Sequence, residues 1–185
     1  MDDLVKQAMA KWPEVPDCYG WLGLDARGHW WMRDERAQMA GSFQSGKPGS
    51  KGSLLKHEKL IEFIHRNYQS DTQGGWYFQN GPQRVYVELE VTPYIWRLEE
   101  DGTPVAQTGE RSPARACLMD EQGRVYISTE LGVGLLHSLD VPMAAKTIEE
   151  GIWHIENCVA QELQREYKFN ISPQSTHLDS KKNRP

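Results

Sequence analysis

The chain has 185 residues, 38% of them hydrophobic and 25% charged, and carries a formal net charge of −5. That apolar share supports a buried core and excludes a disordered chain, and the acidic balance excludes the broad basic face that general nucleic-acid binding requires. Cys18, Cys117 and Cys158 lie too far apart for a C-x-x-C zinc or redox pair, and no apolar run approaches the length of a membrane span.

The first predicted element is a short helix over residues 2–11, where Leu4, Val5, Ala8, Met9 and Trp12 recur at helical spacing and Pro13 and Pro16 end the pattern. Its acidic opening lacks an apolar core of signal-peptide length. With free thiols this points to a reducing compartment, and the cytoplasm is the expected location. Four segments then share one shape, an apolar run, a polar turn with glycine and a second apolar run: residues 21–32, 76–87, 96–105 and 117–127. Each reads as a β-hairpin, with Gly28, Gly81, Gly102 and Gly123 at the reversals. In the clearest strand, residues 84–91, Val85, Val87, Leu89 and Val91 alternate with Arg84, Tyr86, Glu88 and Glu90, so one buried and one wet face are expected.

Two helical interruptions follow from the pattern. Leu54, Leu60, Ile61, Ile64 and Tyr68 form an apolar stripe after the Gly- and Ser-rich loop 41–53, with Ser53 as N-cap and Glu58, Glu62 and His65 facing away. Near the C-terminus, Asp140 caps a helix over residues 142–150 that stops at Gly151, and a second helix spans residues 158–166 with Asn157 as its cap. A single helix running through Gly151 is the alternative, because Ile148, Ile152, Ile155 and Val159 keep helical spacing. The fold class expected is α+β: about eight strands in a mainly antiparallel meander, curled or in two layers, with a mid-chain helix and C-terminal helices. Residues 1–169 read as one domain, the loop 41–53 as flexible, and residues 170–185 as a loosely ordered polar tail.

The loop itself spells GSFQSGKP, one residue short of a phosphate-binding loop. Pro48 stands where the magnesium-binding hydroxyl should be, and the stretch that follows separates Lys47 from the next helix. The backbone amides and helix dipole that a phosphate needs are therefore not assembled, and a nucleotide site is rejected. His57 and His65 are eight residues apart, which rotates them by about 80° and places them two turns apart, so they cannot share one zinc. His57 is expected on the apolar side with Ile61 and Ile64, as a core histidine or a neutral base. No nucleophile, metal set or cofactor motif is present.

The densest polar cluster surrounds the hairpin FQNGPQRVYVELE. Gln79, Asn80, Gln83 and Arg84 present amide and guanidinium groups at one rim, Trp76 and Tyr77 supply aromatic surface, and Arg66 and Asn67 close the preceding helix. Turn chemistry explains part of this. The functional alternative is a pocket lined by Trp76, Tyr77 and Arg84 for an anionic or aromatic ligand.

The strings HEKLIEFIHRNY, GGWYFQNGPQRVYVELEVTPYIWRL and STELGVGLLHSLD resemble an uncharacterised proteobacterial family of about this length, a domain of unknown function, from about residue 20 to 172. The resemblance implies no established activity and transfers no catalytic residue. The preferred expectation is a non-catalytic module that binds a small molecule or a protein through its aromatic and arginine rim. The alternative is a small metal-independent enzyme with His57 as base and Arg84 holding an anionic substrate. An exposed edge strand could pair two chains into a homodimer or be capped by the C-terminal helices.

Overall fold

The computed structural model describes residues 1–182. In chain order the elements are α1 (Asp3–Lys11), β1 (Cys18–Leu24), β2 (Trp30–Met32), α2 (Glu35–Ala40), β3 (Ser53–Leu54), α3 (Glu58–Arg66), β4 (Tyr68–Ser70), β5 (Trp76–Asn80) and β6 (Gln83–Leu89). They continue with β7 (Tyr94–Leu98), β8 (Pro104–Ala106), β9 (Ala116–Met119), β10 (Val125–Ser128), β11 (Val133–Leu136), α4 (Val141–Glu149), β12 (Ile155–Asn157), α5 (Leu163–Glu166) and α6 (Pro173–Lys182). The chain forms two compact units. The first holds residues 1–25 and 29–90 with the stretch from Asn170, and the second holds residues 26–28 and 91–169.

All four glycine-centred hairpins form: β1–β2, β5–β6, β7–β8 and β9–β10. At the second of these, Gly81 has φ 58°, a left-handed conformation that the tight reversal demands. The fold is α+β with two mixed six-stranded sheets, neither purely antiparallel nor a single curled sheet. The first unit's sheet runs β3-β2-β1-β6-β5-β4 and the second unit's runs β12-β9-β10-β11-β7-β8. Three pairings depart from the antiparallel expectation and are parallel: β1 with β6, β7 with β11, and β9 with β12. Parallel neighbours require a long crossover, and each of these pairs has one, with helix α4 carrying the chain from the β9 hairpin to β12.

Helix boundaries also depart from the periodicity. The mid-chain helix starts at Glu58 rather than Leu54, because Ser53 and Leu54 pair with β2 as β3. After α4, Gly151 adopts φ 73° and the chain enters β12, so no continuous helix forms; the second helix is shorter than expected, α5 beginning at Leu163, and Asn157 lies in β12 rather than at a cap. Asp140 precedes α4 but makes no cap bond. Its carboxylate accepts from the Arg97 guanidinium and from Leu98 N, tying the start of α4 to β7. The second unit's core centres on Trp96, fully buried, whose Nε1 donates to Ile127 O at 3.0 Å.

In the first unit, one sheet face carries Leu22, Leu24, Val85, Val87 and Leu89 and the aromatic residues that meet α3, where Phe63 and Phe78 pack edge to face. The opposite face, expected to be wet, is largely covered: Tyr86 is 4% exposed and Glu88 1%. Helix α6 lies against β1 and β6 on this side, so residues read as a loose polar tail form part of the unit; the last three residues of that tail, 183–185, lie outside the described residues. The Glu88 carboxylate anchors the helix. It accepts from Ser172 Oγ at 2.6 Å and Gln174 N at 3.0 Å, at the positive end of the helix, and from Gln44 Nε2 at 3.5 Å.

The loop 41–53 is likewise built into the unit. Phe43 is fully buried against Gly23, where an added Cβ would lie 2.5 Å from its ring, and the buried Arg33 guanidinium donates to the carbonyls of Ser50 and Gly41 at 2.8 and 2.6 Å. Lys47 leads into turns and then β3, not a helix, which leaves no phosphate cradle there.

Burial is the strongest influence on Glu88 and raises its pKa from 4.5, against the lowering by Ser172, Gln174, Gln44 and the Arg33 charge. A carboxyl whose folded pKa is raised binds its proton more tightly when folded, so it contributes a loss of stability as pH climbs from 4.5 to that raised value. The difference in unfolding free energy between wild type and Glu88→Gln should therefore fall across this window and level off above it, measured by urea denaturation. Glu88→Ala, which strands several buried donors, should cost about 3 kcal/mol or more at neutral pH.

Candidate functional site

Strand alternation sorts the predicted site residues onto two faces. Trp76 faces α3: its ring lies 4.8 Å from that of Tyr68, which in turn packs on Trp30. It is a core residue and does not line the pocket expected for it. Tyr77, Gln79, Arg84 and Tyr86 share the other face, set side by side by the β5–β6 register that pairs Tyr77 with Tyr86 and Gln79 with Arg84.

On that face a cleft of about 520 Å³ opens between the β5–β6 hairpin and the end of α1 with the segment that follows it. Gln79, Pro82 and Arg84 line one side. Met9, Trp12, Pro16 and the carboxylate residues Glu14 and Asp17 contribute to the other. The segment is held there by Gln83, whose Nε2 donates to Pro16 O at 3.0 Å.

Arg84 is half-buried, with its guanidinium 5.1 Å from the centre of the Tyr77 ring. Partial burial acts against its charge, but the Tyr86 phenol and the charge of Asp17 outweigh this and raise its pKa. No carboxylate among the described residues forms an ion pair with it. Gln79 is 1% exposed. Its Nε2 donates to Gly81 O at 3.0 Å, while its Oε1 is buried without a hydrogen-bond partner. Most buried amide oxygens in folded proteins are paired, so this one is a buried, unpaired acceptor in a residue that lines the cleft.

A second cleft of about 270 Å³ adjoins Tyr86 on the α6 side. Tyr19 stacks on Tyr86 at 4.5 Å and on His177 at 4.1 Å, making a three-ring pile from β6, β1 and α6. Tyr86 donates to Asp71 Oδ2 at 2.7 Å, and Asp71 Oδ1 accepts from the amides of Gln73 and Gly75. Burial, then the bond to Asp71, push the Tyr86 pKa up and keep the phenol a donor. Nothing in the sequence marks Tyr19, Asp71, His177 or Asp17 as site residues, and Trp12 figures there only in the apolar spacing of the first helix. Only Asp71 left a local signal, the D-x-Q-G-G turn. The others arrive from segments remote in the chain.

The remaining predicted residues have structural duties. Arg66 Nε donates to the Asp2 carboxylate at 3.3 Å. Asn67 donates to Phe63 O and accepts from Asp2 N, closing α3 and fixing α1 to it. Asn80 is exposed at the turn. His57 is exposed and caps α3, its Nδ1 accepting from Leu60 N at 3.2 Å. It is not buried against Ile61 and Ile64. It stands at the opposite end of a nine-residue helix from Asn67, and it does not line the cleft with Arg84. The core histidine is His65, expected to face away: its Nε2 accepts from Trp30 Nε1 at 2.9 Å. No cluster of three His, Cys, Asp or Glu suited to a metal occurs among the described residues, and none of their helices is long and apolar enough to cross a membrane.

The arrangement defines an α+β protein whose first unit carries two clefts, one lined by Arg84 and Gln79 and the other by Tyr19 and Tyr86. The chain belongs to the family described as DUF2944, protein of unknown function (DUF2946), whose model matches residues 1–183. Two solved structures of DUF1285 family proteins are similar. One, from Silicibacter pomeroyi DSS-3, has 11% identity and a TM-score of 0.48, covering 79% of this chain and 84% of its own. The other, from Shewanella baltica OS155, has 12% identity and a TM-score of 0.45, covering 69% and 91%. Likeness of this degree carries no residue, ligand or activity over to this chain. No protein of curated function matches it.

Burial lowers the His65 pKa below 6.5. Its ring should stay neutral in the folded state at pH values where the unfolded chain takes up a proton, so its share of stability is present above 6.5 and lost as pH falls below it. In an NMR titration the His65 midpoint should lie under 6.5 and the Trp30 indole N–H resonance should move with it. His65→Gln should leave that indole signal flat.

Proposed function

We propose that this protein is a binding module for a small molecule bearing an anionic group, and that the Arg84 cleft is its site. One observation supports the reading above the rest: an arginine without a carboxylate partner and a buried amide oxygen without a donor lie on one sheet face at one cleft. A buried unpaired acceptor costs stability, on the order of 1–3 kcal/mol, and a ligand N–H or O–H at Gln79 would recover it. The guanidinium lies 5.1 Å from the centre of the Tyr77 ring, a contact that reduces the ordering an anion must impose on the arginine. The apolar surface of Met9, Trp12 and Pro82 would take the rest of the ligand.

A thermal-shift screen of small carboxylates, phosphates and sulfonates on the full chain tests this. A ligand at 100 times its Kd should raise the melting temperature by about 5–10 °C. Arg84→Met keeps the stem over Tyr77 and removes the charge, and should abolish the shift while leaving the unliganded melting temperature nearly unchanged. Equal shifts in wild type and variant would refute the site.

A further inference from the structure

The charges around the cleft are of both signs. Glu14 and Asp17 line it with Arg84, and among the described residues neither closes an ion pair with that arginine. Arg84 is held on the Tyr77 ring, and Asp17 influences the Tyr19 phenol on the neighbouring strand. Two opposite charges thus border one cavity and stay apart. The other nearby cation, Lys11, sits with its ammonium 4.5 Å from the Trp12 ring centre.

This pattern discriminates among ligands. A molecule with negative charge alone gains at Arg84 and is repelled by two carboxylates. A molecule with positive charge alone meets the reverse. A zwitterion whose ends are a few ångströms apart is favoured at both. Its ammonium also supplies the N–H that the buried Gln79 Oε1 lacks. The volume of about 520 Å³ exceeds a bare zwitterionic head and leaves room for a side chain, which Met9 and Trp12 would meet.

We propose that the Arg84 cleft binds a zwitterionic, amino-acid-like molecule with a large apolar side chain. Its carboxylate lies at Arg84, its ammonium between Asp17, Glu14 and Gln79 Oε1, and its side chain against Met9 and Trp12. The inference rests on the Arg84 cleft being the ligand site, and the experiment separates the two.

Isothermal titration of the full chain with L-phenylalanine, 3-phenylpropanoate and 2-phenylethylamine compares both charges with each alone on one apolar group. The zwitterion should bind at least tenfold more tightly than either analogue. Asp17→Asn should weaken the zwitterion about tenfold and leave or improve the phenylpropanoate, whereas Arg84→Met should weaken both. If phenylpropanoate binds as well as the amino acid and Asp17→Asn changes neither, the zwitterion is refuted and the anion site stands. If the amino acid shows no saturable heat, the inference fails. If Arg84→Met leaves every affinity unchanged, the site fails with it.

Discussion

A carboxylate buried to 1% exposure would be expelled from a protein interior unless every acceptor position were met, and Glu88 meets that demand from three directions. Ser172 comes from the residue before α6 and Gln174 from its first turn, Gln44 from the loop after α2, and the buried Arg33 supplies opposite charge. Gln44 also donates to the carbonyls of Leu89 and Ile171, and Leu89 N donates to Ile171 O. The anchor therefore joins a central strand, an irregular loop and a helix from the far end of the chain. Without it α6 has little reason to stay, because the helix is polar and offers few apolar side chains to bury.

That constraint shapes the candidate site. With α6 seated on β1 and β6, His177 closes over Tyr19 and Tyr19 over Tyr86, so a strand face that alternates like a solvated one becomes partly interior. Further along this face stand the half-buried Arg84 and the buried Gln79. There the α1 segment comes in from the other side, fixed by Asp2 on Arg66 and Asn67 and by Gln83 on Pro16. The cleft is the space between these two coverings, and its polar groups are those that neither covering satisfies.

Much of this was legible locally. The four hairpins, the first helix, the helix that stops at Gly151 and the strand beginning near Arg84 were read from residue type and spacing. Of the rim expected from Gln79, Asn80, Gln83 and Arg84, the pleat keeps Gln79 and Arg84 together and sends Asn80 and Gln83 to the other face, since a two-residue turn fixes which side chains of a hairpin stand together. His57 and His65 exchanged their expected roles because the helix begins four residues later than its apolar stripe suggests. A shift of that size moves a residue from helix face to cap. Trp76 was misplaced for a similar reason: adjacency in sequence puts it next to Tyr77, while the pleat sends the two to opposite faces.

What the sequence determined by itself were reversals and periodicities, because positive φ at glycine, proline's fixed geometry and side-chain alternation act within a few residues. Which strands became parallel neighbours, that residues 173–182 formed a covering helix, and that Asp17, Arg84 and Gln79 came to border one cavity were decided only in the tertiary structure. Those outcomes depend on which distant surfaces bury one another and on where buried polar groups find partners. Neither quantity is a property of any short stretch of chain.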